Sequence, residues 1–143
     1  MTSRRLLIAL IALGLLSGCQ LQKNVTNDKV GMRAMGENIT IGELQLGKLR
    51  DLRRQQKFLD LPGTNTDLEQ KRLSVVLDLL LDRLLAGVES NPNKAWVLDQ
   101  FEKSLIEVQN EDTEARERFG SYLESIMDIL QIESSDGLLS RYL

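Results

Sequence analysis

The stretch TDLEQKRLSVVLDLLLDRLLAGVE, Thr66 to Glu89, decides the fold class. Its opening Thr66-Asp67-Leu68-Glu69 has the form of a capping box, in which the threonine hydroxyl accepts from the amide three residues on and the glutamate reaches back. Leu73, Val76, Leu77, Leu80, Leu81, Leu84, Leu85 and Val88 follow at offsets of one, three and four, the period of a helix. Val75 and Leu79 widen the apolar surface beyond one face. The polar remainder, Lys71, Ser74, Asp78 and Asp82, forms one thin strip. A helix with so little polar surface is packed on several sides. The stretch therefore predicts the central helix of an all-α domain, and a buried, unpaired carboxylate at Leu77 or Leu80 is expected to unfold it.

Working outward, Thr40-Ile41-Gly42-Glu43 repeats the capping-box pattern, with Ile39 and Leu44 at the staple positions. This predicts a helix starting near Ile41, running past Leu49, Leu52 and Leu59, and stopping at Leu61-Pro62-Gly63. Downstream, Asn91-Pro92 predicts a third helix with Asn as cap and Pro at the first position. Its stripe is Val97, Leu98, Phe101, Leu105 and Val108, with Trp96 at the edge. A fourth helix is expected after Asp112 or Thr113, burying Phe119, Tyr122, Leu123, Ile126, Met127 and Leu130. Ser135-Asp136 can cap one last turn from Gly137 to Tyr142. Short loops favour antiparallel neighbours, so the expectation is a small up-down-up-down four-helix bundle over residues 39–143.

Composition narrows the chemistry. Histidine is absent and Cys19 is the only cysteine, so zinc, copper, haem and thiol chemistry lack their usual ligands. No disulfide can form within one chain. With only six aromatic residues and abundant leucine, stability has to come from an aliphatic helical core. Neither a metal nor a cofactor is expected.

Residues 20–38 carry Asn24, Thr26, Asn27, Asp28, Gly31 and Gly36 among scattered Val30, Met32 and Met35, with neither a 3.6 nor a 2.0 period. The segment reads as a flexible tether that could reach roughly 60 Å if extended. A strip that orders on a partner is its other reading. Before it, Arg4 and Arg5 precede an apolar run from Leu6 to Leu16, eleven residues long. That is short of the roughly 20 needed to cross a bilayer and fits the central segment of a signal peptide.

The run ends in Leu16-Ser17-Gly18-Cys19, which resembles the lipobox of bacterial lipoprotein precursors. The resemblance implies a signal peptide over residues 1–18, cleavage before Cys19, and covalent lipid on that cysteine as the only bound group. Several acyl chains on one residue hold a protein firmly at a membrane, whereas one chain alone anchors marginally. Gln20 stands where an aspartate marks inner-membrane retention in enterobacterial members of that family. The implied location is the outer membrane, on its periplasmic face, with the inner membrane as the lesser alternative. Without Arg4 and Arg5, 16 basic residues stand against 21 acidic ones, a net charge of −5 that argues against nucleic acid as a partner.

The remaining signals concern surfaces. Between residues 48 and 57 of the first helix, Lys48, Arg50, Arg53, Arg54 and Lys57 oppose Asp51 alone, and Arg50, Arg54 and Lys57 are placed on one face. They could meet anionic headgroups or an acidic partner, or simply be a solvated face. Asp78 and Asp82, one turn apart, are expected to be solvent-exposed, with pairing to the basic helix or half of a cation site as alternatives. Trp96 and Tyr142 would be binding anchors if exposed, and bundle packing is the plainer reading. Glu133-Ser134 matches the catalytic start of lytic transglycosylases, but only ten residues follow Glu133, too few to build a glycan cleft. No catalytic residue is assigned.

Together these features read as a non-enzymatic, outer-membrane-anchored lipoprotein that binds another envelope protein as an accessory or assembly factor. Small helical pilot lipoproteins of secretion systems resemble this plan. An inhibitor or immunity-type protein and a carrier of apolar ligands are the alternatives. Oligomeric state stays open at this level.

Overall fold

A computed structural model describes residues 37–59 and 67–143. Five helices follow in order: α1 Glu43–Arg54, α2 Asp67–Gly87, α3 Lys94–Val108, α4 Thr113–Leu130 and the single turn α5 Leu139–Tyr142. The all-α expectation holds. α2 lies between α1 and α3, and α4 packs against α1. Leu73, Leu77, Leu80, Leu81 and Leu84 of α2 are fully buried, facing Leu46 and Leu49 of α1, Val97, Phe101 and Leu105 of α3, and Phe119, Leu123 and Ile126 of α4 in one core.

The helix starts differ from expectation wherever the N-terminal segment intervenes. Ile39 donates its amide to Pro92 O at 3.0 Å and Glu37 O accepts from Lys94 N at 2.8 Å, around a bridge between Asn38 and Asn93. Glu37 and Asn38, assigned to the tether by sequence, are therefore fastened to the domain. Beyond this pairing the helix starts only at Glu43, and the expected Thr40 box does not cap it. Gly42 caps α1 instead, and the Gln45 side chain accepts from the Gly42 amide at 3.2 Å.

The same strap moves the start of α3. Asn91 does not cap it: its side chain donates to Gly87 O at the end of α2, at 3.0 Å. Asn93 is the cap, accepting from Trp96 N at 2.8 Å. α2 itself ends at Gly87, short of Glu89. A Cβ at Gly87 would sit 2.5 Å from the Trp96 ring, so any larger residue there must displace the indole. α4 begins as expected, with Asp112 accepting from Ala115 N at 2.8 Å.

α1 stops early, at Arg54, and Leu59 is exposed rather than buried. Phe58 takes the core position. It adopts a left-handed backbone (φ 57°), a conformation that disfavours an L side chain by about 1–2 kcal/mol. What holds it there is packing. Its ring stacks on Phe119 with centroids 6.3 Å apart and meets Tyr122 at 4.8 Å. Its amide donates to the Tyr122 hydroxyl at 3.2 Å. The expected stop at Leu61-Pro62-Gly63 and the Thr66 cap of α2 lie outside the described residues.

The far end is closed by the last turn. Ser135 O accepts from Leu138 N at 2.9 Å, and Leu138 and Leu139 are buried. Lys94 ties both ends of the described body together: its ammonium lies 2.8 Å from Asp136 and 3.9 Å from Glu37.

Candidate functional site

The polar strip of α2 and the basic face of α1 meet each other. Arg53 donates to both carboxylate oxygens of Asp82, at 2.8 and 3.2 Å, and reaches Asp78 at 3.1 Å. The bond from Arg53 to Asp82 raises the guanidinium above its already high ordinary value, so this cation stays charged throughout. Lys57 completes the contact from the chain just beyond α1. Asp78 is thus not a solvated residue, and Asp82 keeps only part of its exposure. Two cations of the chain itself occupy the place a bound cation would take, and among the described residues no cluster of three metal-ligating side chains occurs.

This changes the status of the basic patch. Lys57 is buried, and shares no open face with Arg50 and Arg54. Arg50 and Arg54 remain exposed, but each is matched on its own helix, Arg50 by Glu43 and Arg54 by Asp51. Exposed ion pairs of this kind contribute at most about 1 kcal/mol, so both guanidinium groups stay available to a stronger acidic ligand. Gln55, Gln56, Lys57, Leu59, Gln70, Ser74 and Asp78 line an open hollow of about 380 Å³ beside this contact.

Trp96 is half-buried with its ring over Gly87, so packing explains most of it. Tyr142 is likewise half-buried, its hydroxyl 3.3 Å from Glu102 and its carbonyl accepting from Arg116 at 2.9 Å. Glu133 is exposed. Arg83 lies in the groove between α2 and α3, donating to the buried Ser104 hydroxyl at 2.6 Å. Near the opposite end, burial pushes the Glu69 carboxyl above its usual range, with the charges of Asp112 and Glu111 adding to the shift. Cys19, the predicted lipidation site, lies outside the described residues.

The surface that sequence reading missed is the outside of α2. Val75 and Leu79 were expected to extend its packed circumference, yet they are 50% and 47% exposed, and Leu68 is 76% exposed. The reason is electrostatic. α1 brings Arg53 and Lys57 to the polar strip, so Ser74 and Asp78 in its middle are partly covered, while Lys71 and Asp82 at its ends stay exposed. With α3 on the opposite flank, the apolar residues at Leu68, Val75 and Leu79 face out, with exposed Ala86 continuing the line. Their spacing of seven, four and seven was legible in the sequence. Which side of the helix would be covered was not.

Fold and site define a small all-helical bundle with an apolar outer ridge on its central helix. The chain belongs to the DUF4844 family, a domain of unknown function, whose family model matches residues 40–143. No curated protein and no solved structure matches it. Among the described residues no helix is long and apolar enough to cross a membrane.

Proposed function

We propose that the protein is a lipid-anchored envelope protein whose helical domain works by binding protein, without catalysing a reaction. The observation that carries the binding half is the exposed ridge of Leu68, Val75 and Leu79 on α2. Large apolar side chains aligned along one helix face are what a partner helix covers. The address rests on Leu16-Ser17-Gly18-Cys19 behind Arg4, Arg5 and the apolar run: Cys19 carries the lipid, and residues 20–36 link it to the bundle. Gln20 favours the outer membrane, with the bundle in the periplasm. Arg50 and Arg54, two of the exposed cations of α1, would supply charge recognition for an envelope protein with an acidic surface.

The test places a photo-activatable amino acid at Leu79 of the full chain in intact cells, with Glu124 on α4 as the comparison position. A protein adduct at Leu79 and none at Glu124 is the expected result. Equal labelling at both, or none at either, would contradict binding through this face.

A further inference from the structure

Six exposed residues run along the outer face of α2: Leu68, Arg72, Val75, Leu79, Asp82 and Ala86. Their spacing is four, three, four, three, four, the a/d spacing of a coiled-coil seam. It reads the same from either end. A second copy of α2 turned end for end therefore meets the first in complete register, about a two-fold axis at the level of Leu77. Leu68 then opposes the partner's small Ala86, Val75 opposes Leu79, and Arg72 opposes Asp82, each pairing occurring twice. In the parallel arrangement the same seam would set Arg72 against Arg72 and Asp82 against Asp82, which repel.

We infer that the ridge binds a second copy of this chain, as an antiparallel, two-fold symmetric α2–α2 pair. The inference rests on the protein-binding reading of the ridge and names its occupant. Self-complementarity of this kind is what a two-fold interface requires, since one patch must serve both sides. The charges are free enough to take part. The side chains of Arg72 and Asp82 keep 60% and 53% of their exposure, although Arg72 already holds Glu111 and Asp82 holds Arg53. Pairing would extend these into an alternating row, Glu111, Arg72, the second copy's Asp82 and its Arg53. The seam is about 27 Å long at ~1.5 Å per residue. Residues 20–36 span up to ~56 Å when extended, so both copies can remain anchored to one membrane in this orientation. Confinement to that surface raises their effective concentration.

The experiment uses the full chain in membranes and reads the register directly. Leu68→Cys and Ala86→Cys are expressed together and oxidised, and each is also expressed alone. The expected outcome is a disulfide-linked dimer of the mixed pair and none from either variant alone, because equivalent positions lie at opposite ends of the seam. Arg72→Asp and Asp82→Arg should each weaken self-association about tenfold or more, and mixing the two should restore it. Self-linking of Leu68→Cys, or no link in the mixed pair, would overturn the inference. An adduct from Leu79 to a different protein, without the mixed disulfide, would overturn self-pairing while leaving the protein-binding reading intact. An adduct within a single chain would overturn self-pairing as well. No adduct at all would remove both.

Discussion

The ammonium of Lys57 lies 2.7 Å from Oδ1 of Asp78 and donates to the carbonyl oxygens of Arg53 and Gln55 at 3.0 and 2.9 Å. Only 2% of the Lys57 side chain is exposed. The cation therefore closes the last carbonyls around the end of α1 and fastens that end to α2. Removing one member of a buried pair strands the other, at about 3–5 kcal/mol when burial is complete. Asp78 keeps 27% exposure and a second cation in Arg53, which reduces the figure. Lys57→Ala should lower unfolding free energy by about 2 kcal/mol in urea titrations. Lys57→Met with Asp78→Leu should lose less than the two single changes summed, and full additivity would show that the pair is not coupled.

Gly87 and Trp96 provide a second stability test with a defined sign. Ala is ordinarily better than Gly in a helix by up to about 1 kcal/mol, yet a Cβ at Gly87 would lie 2.5 Å from the indole ring. Overpacking of that degree typically destabilises by about 1–3 kcal/mol. Gly87→Ala is therefore expected to destabilise, with a change in tryptophan fluorescence that reports the displaced ring. In a Trp96→Leu background the same substitution should become neutral or stabilising. A stabilising Gly87→Ala in the native background would contradict the packing.

Neighbouring leucines on α2 should respond oppositely to charge. Leu77 is fully buried and Leu79 is 47% exposed. Leu77→Asp, like Leu80→Asp, puts an unpaired carboxylate into the core and should abolish the cooperative unfolding transition. Leu79→Asp should leave unfolding within about 1 kcal/mol of native while weakening whatever covers the ridge. Circular dichroism melts separate the two outcomes.

Acid titration should split two carboxylates. The hydrogen bond from Lys94 holds Asp136 below the usual aspartate range, whereas burial pushes Glu69 up. For Asp136, whose folded value is depressed, the stabilising contribution is present above its unfolded value and is lost as pH falls through the folded one. For Glu69 the sign reverses: its charged form disfavours the fold at neutral pH, and the penalty lifts as pH falls through its raised value. Carboxyl-carbon NMR should find the Asp136 midpoint low and the Glu69 midpoint high, and Lys94→Gln should raise Asp136 alone. An Asp136 midpoint at or above the ordinary range would contradict the Lys94 contact.

Most of the architecture was legible because it is written in local patterns. Leu73 to Leu84, Phe101 to Val108 and Phe119 to Leu130 carry their period within one helix, and Asp112 caps within its own turn. What was not legible depended on residues far apart in sequence. Thr40 and Asn91 have correct cap chemistry, but the pairing of Ile39 with Pro92 takes the backbone elsewhere. Phe58 follows the end of α1, with no periodic signal to mark it as core. For the same reason the expected solvent exposure fails at Asp78, which is partly buried against Lys57 and Arg53, while Asp82 stays exposed as expected. Only tertiary contact decides that Arg53 and Lys57 cover the acids while Val75 and Leu79 are left outside.

All of the envelope reading depends on Cys19, and one measurement addresses it directly. Cells expressing the full chain are grown with radiolabelled palmitate, and the protein is recovered from separated membranes. Label is expected on the native chain in the outer-membrane fraction and none on Cys19→Ala, which should no longer be held at the membrane. A native chain that takes up no label would contradict the proposed anchor and, with it, the membrane function.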